Sequence, residues 1–391
     1  MESSQSDKRY VKRTVWTFAS ASFLHDMGAD MIFSIWPMFL TTVLGANMAV
    51  VGLIDGLGDA FVSIAQAAAG YLSDRTRKRK PFVWLGYFFG GLAKVGYALS
   101  PTWHWVLPFR LLDRSGKMRG APRDAIVSDL STVQNRGRHF GTLRMMDNAG
   151  AIVGILASIA LVQFIPLRTL MLIAAIPSML AVLLVLGMYR EQKPDGTKVF
   201  KGIHLQDFSP NLRLYTVLSA FFMLGSFSYS FLLLSAKSFG FSIGTMPVLY
   251  LLYTFVAAAL SMFFGRLADR IGRKTVLLFS YGCWMGVALL FILFRSPVAV
   301  IAAFALYGVH IASLEPVQKA LAAELAPRDL VASTLGGFQM VIGLVSFPAS
   351  FVAGILWDRF GLTAPYLLSL TLTACAGFLL LFLKDGRAKA A

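Results

Sequence analysis

The chain has 391 residues, of which 57% are hydrophobic and only 14% charged, with a formal net charge of +16. So little charge excludes an ordinary water-soluble globular protein and predicts an integral membrane protein. The surplus of Lys and Arg falls in short clusters between apolar runs, which leaves no continuous basic stripe for a nucleic acid.

Twelve apolar segments can be marked, near 15–41, 48–72, 81–100, 105–130, 140–162, 168–189, 214–236, 247–268, 275–294, 298–324, 332–356 and 366–383. Each is about 20 residues long and can cross a hydrocarbon core of roughly 30 Å. The opening MESSQSDKRYVKRTVWTF has no short apolar segment followed by a small-residue cleavage site, so the first helix is expected to stay in the mature protein.

The first segment carries His25, Asp26 and Asp30 in FLHDMGADMIF, and the second carries Asp55 and Asp59 in GLIDGLGDAF. An ionised carboxylate at membrane depth costs several kcal/mol without a partner or water, so these groups should face an interior cavity. The spacing of four within each pair puts both carboxylates on one helix face. Two readings follow: proton or cation handling, or structural pairing with the basic residues of the fourth segment. The third segment adds Lys94, which can snorkel or pair with one of these aspartates.

The fourth segment, FRLLDRSGKMRGAPRDAIVSDL, has too many charges to face lipid. Arg110, Asp113, Arg114 and Lys117 follow helical steps of three and four and should share a face. Arg123 and Asp124 are expected to brace the Asp74 loop. In the fifth segment Gly150 and Gly154 have the small-xxx-small spacing that lets two helix backbones approach, and Arg144 and Asp147 are one turn apart, within reach of an ion pair. Residues 190–213 form a polar linker with a short surface helix, which separates an N-terminal bundle (1–189) from a C-terminal one (214–391).

The second half has a different character. Its seventh and eighth segments are aromatic, and Ser226, Ser228, Tyr229, Tyr250 and Tyr253 are the side chains able to hydrogen-bond a solute in an apolar cavity. The tenth contributes His310, Glu315 and Lys319; Glu315 and Lys319 are four apart and can neutralise each other, while a histidine titrates near neutral pH. The only cysteines, Cys283 and Cys375, lie in predicted helices, so neither a disulfide nor a metal cluster is expected.

One stretch occurs twice. GYLSDRTRKRK (Gly70 to Lys80) matches GRLADRIGRK (Gly265 to Lys274) at an offset of 195 residues, and the same offset pairs Asp129 with Glu324 and Gly141 with Gly336. A single shared offset at separated places indicates two tandem halves. This duplicated loop, after the second helix of each half, resembles that of the major facilitator superfamily. The resemblance implies an all-α membrane protein of twelve transmembrane helices in two six-helix bundles related by a pseudo-two-fold axis, usually monomeric. It further implies that the loops at Gly70, Asp74 and Arg75 and at Gly265, Asp269 and Arg270 latch one state of a rocking cycle. An arginine in the fourth helix is linked by the same resemblance to proton coupling in exporters. The glycine motif of the drug exporters is matched only in part, because no Gly-Pro follows Gly150 or Gly154.

With the N-terminus in the cytoplasm, the inner segments hold nearly all the basic clusters and the outer turns hold only Arg168, Lys237, Arg295 and Arg359. The positive-inside rule then puts both termini in the cytoplasm, and the inner (plasma) membrane is the expected location. No nucleotide-binding GxxxxGK[ST], no HExxH and no GxSxG occurs, so neither ATP, a cofactor nor an enzymatic role is implied. The expected function is secondary transport of a small organic solute, with protons as coupling ion, the lipid bilayer as surroundings and export of an amphiphile as the favoured direction. Asp26, Asp30, Asp55 and Asp59, tuned by Arg114 and Lys117, are the candidate proton carriers. His25, Arg110, Ser228, Tyr229, Tyr253, His310 and Glu315 are the candidate solute contacts. A metal or metal-chelate (siderophore-type) carrier, an importer of an anionic metabolite clamped by Arg110, Arg114 and Lys117, and a non-transporting receptor are the alternatives.

Overall fold

The computed structural model describes residues 2–132, 135–191, 209–326 and 331–383, with only the backbone described at 2–8, 74 and 331–333. Most of the expected linker, 192–208, and the side chain of Asp74 therefore lie outside the described residues.

Among the described residues the structure is helical, without strands. The first six expected spans are α1 (Glu2–Phe33) continued by α2 (Trp36–Met38), then α3 (Met48–Thr76), α4 (Lys80–Leu99), the pair α5 (Trp103–Ser115) and α6 (Gly120–Asp129), α7 (Arg136–Leu161) and α8 (Leu167–Met188). The other six are the pair α9 (Pro210–Gly225) and α10 (Tyr229–Ser238), α11 (Met246–Ile271), α12 (Arg273–Leu293), α13 (Pro297–Leu325), α14 (Val331–Phe360) and α15 (Thr363–Leu381). Ten of these spans are long and apolar enough to cross a membrane by length and composition. The first and the fourth fall short because His25, Asp26 and Asp30, and the charges of the RLLDRSGKMRG run, lower their hydropathy.

Three spans expected to be continuous helices are broken, each for a local reason. Pro37 has no N–H to give the Phe33 carbonyl, and α1 ends at Phe33, followed by the turn of α2 and a π-helical turn at Phe39–Val43. Pro122 likewise has nothing to offer the Met118 carbonyl, and α5 and α6 are joined by a 3-10 turn at Gly116–Arg119. In the seventh span α9 stops at Gly225, and α10 restarts behind Ser228, whose hydroxyl accepts from the Ser230 N–H.

The chain forms two compact units, Met1–Phe39 with Ile64–Phe200 and Leu40–Ser63 with Lys201–Ala391. In the first, α1 packs on α7 and α8, and α4 packs on α5 and α8. In the second, α9 packs on α14 and α15, and α12 packs on α13 and α15. These are the same pairings displaced by six spans, as a duplicated chain requires.

The duplication extends to hydrogen bonds. Arg79 Nη1 lies 2.5 Å from Asp129 Oδ2, and Arg273 forms the matching pair with Glu324. Lys80 Nζ donates to the Tyr189 and Leu186 carbonyls at the end of α8, and Lys274 Nζ donates to the Leu381 and Leu383 carbonyls at the end of α15. Each ammonium thereby meets the negative end of a helix dipole and the unpaired carbonyls of a last turn. The two loops turn through a left-handed residue, Arg77 at φ 54° in the longer copy and Gly272 at φ 99° in the shorter.

The close approach of α7 to α1 depends on the two glycines singled out by their spacing. A side chain at Gly150 would run into the Phe23 carbonyl, and one at Gly154 into the Met27 carbonyl. Gly141, on the same helix, has open space around it. Gly154→Val should therefore destabilise the protein by about 1–3 kcal/mol or more, the cost of overpacking, whereas Gly141→Ala should be neutral or stabilising. Thermal midpoints of the two variants in a mild detergent separate these outcomes.

Candidate functional site

The polar groups of the first unit collect where the 3-10 turn meets α4. Gly86 and Gly116 face each other with no room for a side chain on either, and the His25 ring sits against Gly90. That approach carries Arg119 over the Tyr87 ring, with its guanidinium carbon 4.9 Å from the ring centroid. Its Nη1 donates to the Gly116 carbonyl at 2.9 Å, and its Nη2 lies 3.6 Å from Asp26 Oδ1. His25 is buried edge-on to Tyr87, and the Tyr87 hydroxyl is 3.0 Å from Ser22 Oγ.

One turn further along, Arg123 donates from Nη1 to Ser22 Oγ at 2.5 Å and from Nε to Asp124 at 3.0 Å, and Nη1 lies 3.7 Å from Asp147. Arg144 also approaches Asp147, at 3.8 Å, so the expected local pair exists but shares its carboxylate. Arg123 thus ties α6 to α1 and α7.

A second group lies on α5. Arg110 is 1% exposed, with its guanidinium carbon 4.4 Å from the centroid of Trp36 and 5.7 Å from that of Phe33. Arg114 lies 4.9 Å from the same Phe33 centroid, and its Nε is 3.9 Å from Asp113 Oδ2. Lys94, also buried, donates to the Gly90 carbonyl at 3.2 Å. Asp113 lies within electrostatic range of Arg114, Lys94, Arg110 and Lys117 together, and Lys117 is also within range of Asp26. Of the predicted coupling residues of this unit, Asp26 faces Arg119, Arg114 lies beside Asp113, and Lys117 is within electrostatic range of both carboxylates. Asp30 is half-buried one turn beyond Asp26.

In the second unit Asp55, 1% exposed, accepts from the hydroxyls of Ser228 at 2.7 Å and Ser230 at 2.5 Å, at the N-terminus of α10, while the Ser228 N–H donates to Ser350 Oγ. A carboxylate there is favoured by the helix dipole as well as by the hydroxyls. Asp59 is exposed, and Tyr307 lies within electrostatic range of both Asp59 and Glu315. No ion pair joins Glu315 to Lys319 among the described residues. Tyr229, Tyr250, Tyr253 and Tyr307 form one aromatic group, with neighbouring centroids 5.0 to 6.4 Å apart. His310 is enclosed by Phe222, Trp284 and Tyr307, with Nδ1 2.9 Å from both Ser280 Oγ and the Ser280 carbonyl oxygen.

Of the loop residues, Gly70 and Gly265 lie in uncrowded helix ends, Arg75 and Arg270 are exposed, and Asp269 pairs with Arg273 at 3.7 Å. Among the described residues no three His, Cys, Asp or Glu side chains are placed to hold a metal ion.

Charges sunk in apolar helices, arranged in two units of matching design, define a multi-pass membrane protein that keeps polar chemistry within its spans. The model of the Major Facilitator Superfamily matches residues 18–234 and 215–391, and the chain belongs to that superfamily. It is therefore a transporter. An uncharacterized MFS-type transporter of Methanocaldococcus jannaschii is 36% identical over 392 residues, covering 98% of each chain. The multidrug resistance protein MdtH of Escherichia coli is 30% identical over 142 residues, 35% of this chain and 34% of its own. Among solved structures, a D-xylose–proton symporter superposes with a TM-score of 0.79 over 97% of this chain and 99% of its own; at 14% identity the likeness concerns the fold alone.

Arg119 is nearly buried and bridges the 3-10 turn to α1, so Arg119→Gln should lower stability by about 3 kcal/mol, the lower end for stripping one partner from a buried pair because Asp26 keeps some solvent. The double variant Arg119→Gln/Asp26→Asn should recover part of that loss, since the Asp26 charge is then no longer left without Arg119. Chemical denaturation of the two variants and the parent measures the difference.

Proposed function

We propose that the protein is a proton-coupled secondary transporter that exports a small amphiphilic organic solute by alternating access. The observation that supports it most is the Asp26–Arg119 pair at the 3-10 turn. A proton on Asp26 removes the charge that draws Arg119 toward α1, and Arg119 is anchored in a short stretch of non-α backbone where two helices meet. Proton binding is thereby tied to a place in the fold where the chain can change conformation. Asp55 offers a second such place, since its protonation would withdraw a negative charge from the start of α10 at the break in the seventh span. Asp30 and Asp59 complete the set of candidate carriers.

The amphiphilic character of the solute is supported by the tyrosine group of the second unit, and the export direction by the stretch shared with a multidrug resistance protein. In this reading the two six-span halves, 1–189 and 214–391, move as bodies joined by the 190–213 linker. Asp74 and Asp269 latch one state, and the protein works as a monomer in the inner (plasma) membrane with both termini in the cytoplasm.

Proteoliposomes with an imposed proton gradient and a trapped pH dye test the reading. A screen of amphiphilic solutes should find one whose movement is opposed by proton movement. Asp26→Asn should then abolish gradient-driven accumulation while leaving solute exchange at equal pH. Undiminished proton coupling in a variant with all four aspartates changed to Asn would exclude the assignment.

A further inference from the structure

We infer that Asp147 on α7 is a further proton-binding residue of the transport cycle, linked through charge to Asp26, and that a proton on it frees α7 from Arg123. The inference rests on the proton-coupled reading for the words transport cycle, and on the geometry alone for the proton-binding group.

The first argument concerns the partner that helical spacing suggests for Asp147. Arg144, one turn earlier on α7, has its side chain 76% exposed and comes no nearer than 3.8 Å. An exposed arginine at that distance is screened by water and contributes little to holding a carboxylate. The Asp147 side chain is 12% exposed, and its Oδ1 is buried without a hydrogen-bond donor among the described residues. An ionised carboxylate can act only as an acceptor, so an oxygen left in that setting carries a desolvation cost that a proton lowers.

The second argument is what faces the carboxylate from α1 and α6, the elements packed on α7 around it. From α6, Arg123 Nη1 lies 3.7 Å from Asp147 Oδ1, but that nitrogen donates to Ser22 Oγ at 2.5 Å, and Arg123 Nε donates to Asp124. From α1, Ser22 lies beside the carboxylate, and Asp26 acts on it as a like charge. The two aspartates are unequally provided for. Asp26 has Arg119 at 3.6 Å and both Lys117 and Lys94 within electrostatic range. Asp147 shares Arg123 with two other acceptors. Where two carboxylates repel each other, a proton settles first on the less compensated one, here Asp147.

The third argument is the consequence. A proton on Asp147 removes the charge through which Arg123 holds α7, while Arg123 keeps Ser22 on α1 and Asp124 on its own helix. Ser22 Oγ also lies 3.0 Å from the Tyr87 hydroxyl on α4. A serine hydroxyl has one proton and two lone pairs, and one lone pair is taken by Arg123. Ser22 can therefore give its proton to an ionised Asp147 while accepting from Tyr87, or accept from a protonated Asp147 while donating to Tyr87. One proton thus reverses the hydrogen bonds that join α1, α4 and α7.

The test uses the purified full chain reconstituted in phospholipid, with the proton itself as probe. Infrared difference spectra between neutral and acid pH should contain a carboxylic-acid carbonyl band that is missing from Asp147→Asn and kept in Arg144→Gln. In Asp26→Asn the band should titrate over a narrower pH range than in the parent, since interacting carboxylates titrate as one spread-out system. Asn has nearly the shape of Asp, and a thermal midpoint checks that each variant folds. Dicyclohexylcarbodiimide, which attaches to protonated carboxyl groups in apolar surroundings, gives a reading free of mutation. Peptide mass spectrometry of the unaltered protein should find Asp147 labelled, with labelling falling by about tenfold per pH unit once most of the group is ionised. The inference is overturned if Asp147 gives no acid band or no adduct, or if Asp26→Asn leaves the titration unchanged. Flux in proteoliposomes keeps the two proposals apart. An acid band and an adduct at Asp147 with no solute moving against protons would sink the transporter reading and leave the proton-binding group. Coupled movement undiminished in Asp147→Asn would remove Asp147 from the cycle and leave the reading.

Discussion

The structure of the first unit depends on one constraint: charge within an apolar span has to find a partner inside the protein. The fourth span has too many charges to meet lipid, and its residues respond in a definite order. Arg123 takes Ser22, Asp124 and Asp147, Arg119 takes Asp26 and the face of Tyr87, and Arg114 is left with Asp113 and a phenyl ring. The quality of pairing falls along this series, from hydrogen-bonded contact at Arg123 to a carboxylate 3.9 Å away at Arg114. A span whose only task was to hold the bundle together would gain by replacing its least satisfied charges with apolar groups of similar volume, since buried ion pairs are weak stabilisers.

The backbone makes this arrangement possible. Glycines at Gly86 and Gly90 on α4, and at Gly150 and Gly154 on α7, let helices pass at distances that any side chain would prevent. Close passage is what brings His25 and the 3-10 turn onto α4. The 3-10 turn in its place follows from Pro122, which cannot complete a regular α-helical hydrogen bond to Met118. Small residues and one imino acid thus set where the charges meet, and the charged residues themselves have little say in it.

Much of the fold was legible because it is written twice. A shared offset aligned Asp129 with Glu324 before any contact was known, and each proves to be the partner of an arginine in its own loop, Arg79 or Arg273. The close approach of α7 to α1 was legible for a similar reason, since glycine spacing of four has one geometric meaning. The pairings within the charge cluster were not legible. Helical periodicity put Arg110, Asp113, Arg114 and Lys117 on one face, but the helix ends at Ser115 and the turn after it sends Lys117 and Arg119 in directions no 3.6-residue rule gives. Nor could periodicity connect Asp26 with Arg119, or Asp147 with Arg123, because such partners are set by tertiary packing. The Gly86–Gly90 spacing was the one available signal for the meeting point.

Asp26 and Asp55 looked alike in sequence, each the first of two aspartates four residues apart, and the structure separates them. Asp26 is held by a guanidinium and keeps a fifth of its side-chain surface accessible. Asp55 is 1% exposed, and its Oδ2 accepts from two serine hydroxyls at the start of a half-helix. The segment bearing it, Leu40–Ser63, groups with the second unit although the repeat counts it among the first six spans. Gly52 and Gly56 lie against the backbone of α14, and Asp358, near the end of α14, accepts from the Met48 and Ala49 N–H groups at 3.1 and 2.8 Å. A carboxylate buried at a helix start and flanked by backbone-to-backbone contact is closed off unless those contacts loosen. Access to Asp55 is thus tied to the packing of this segment in a way that access to Asp26 is not.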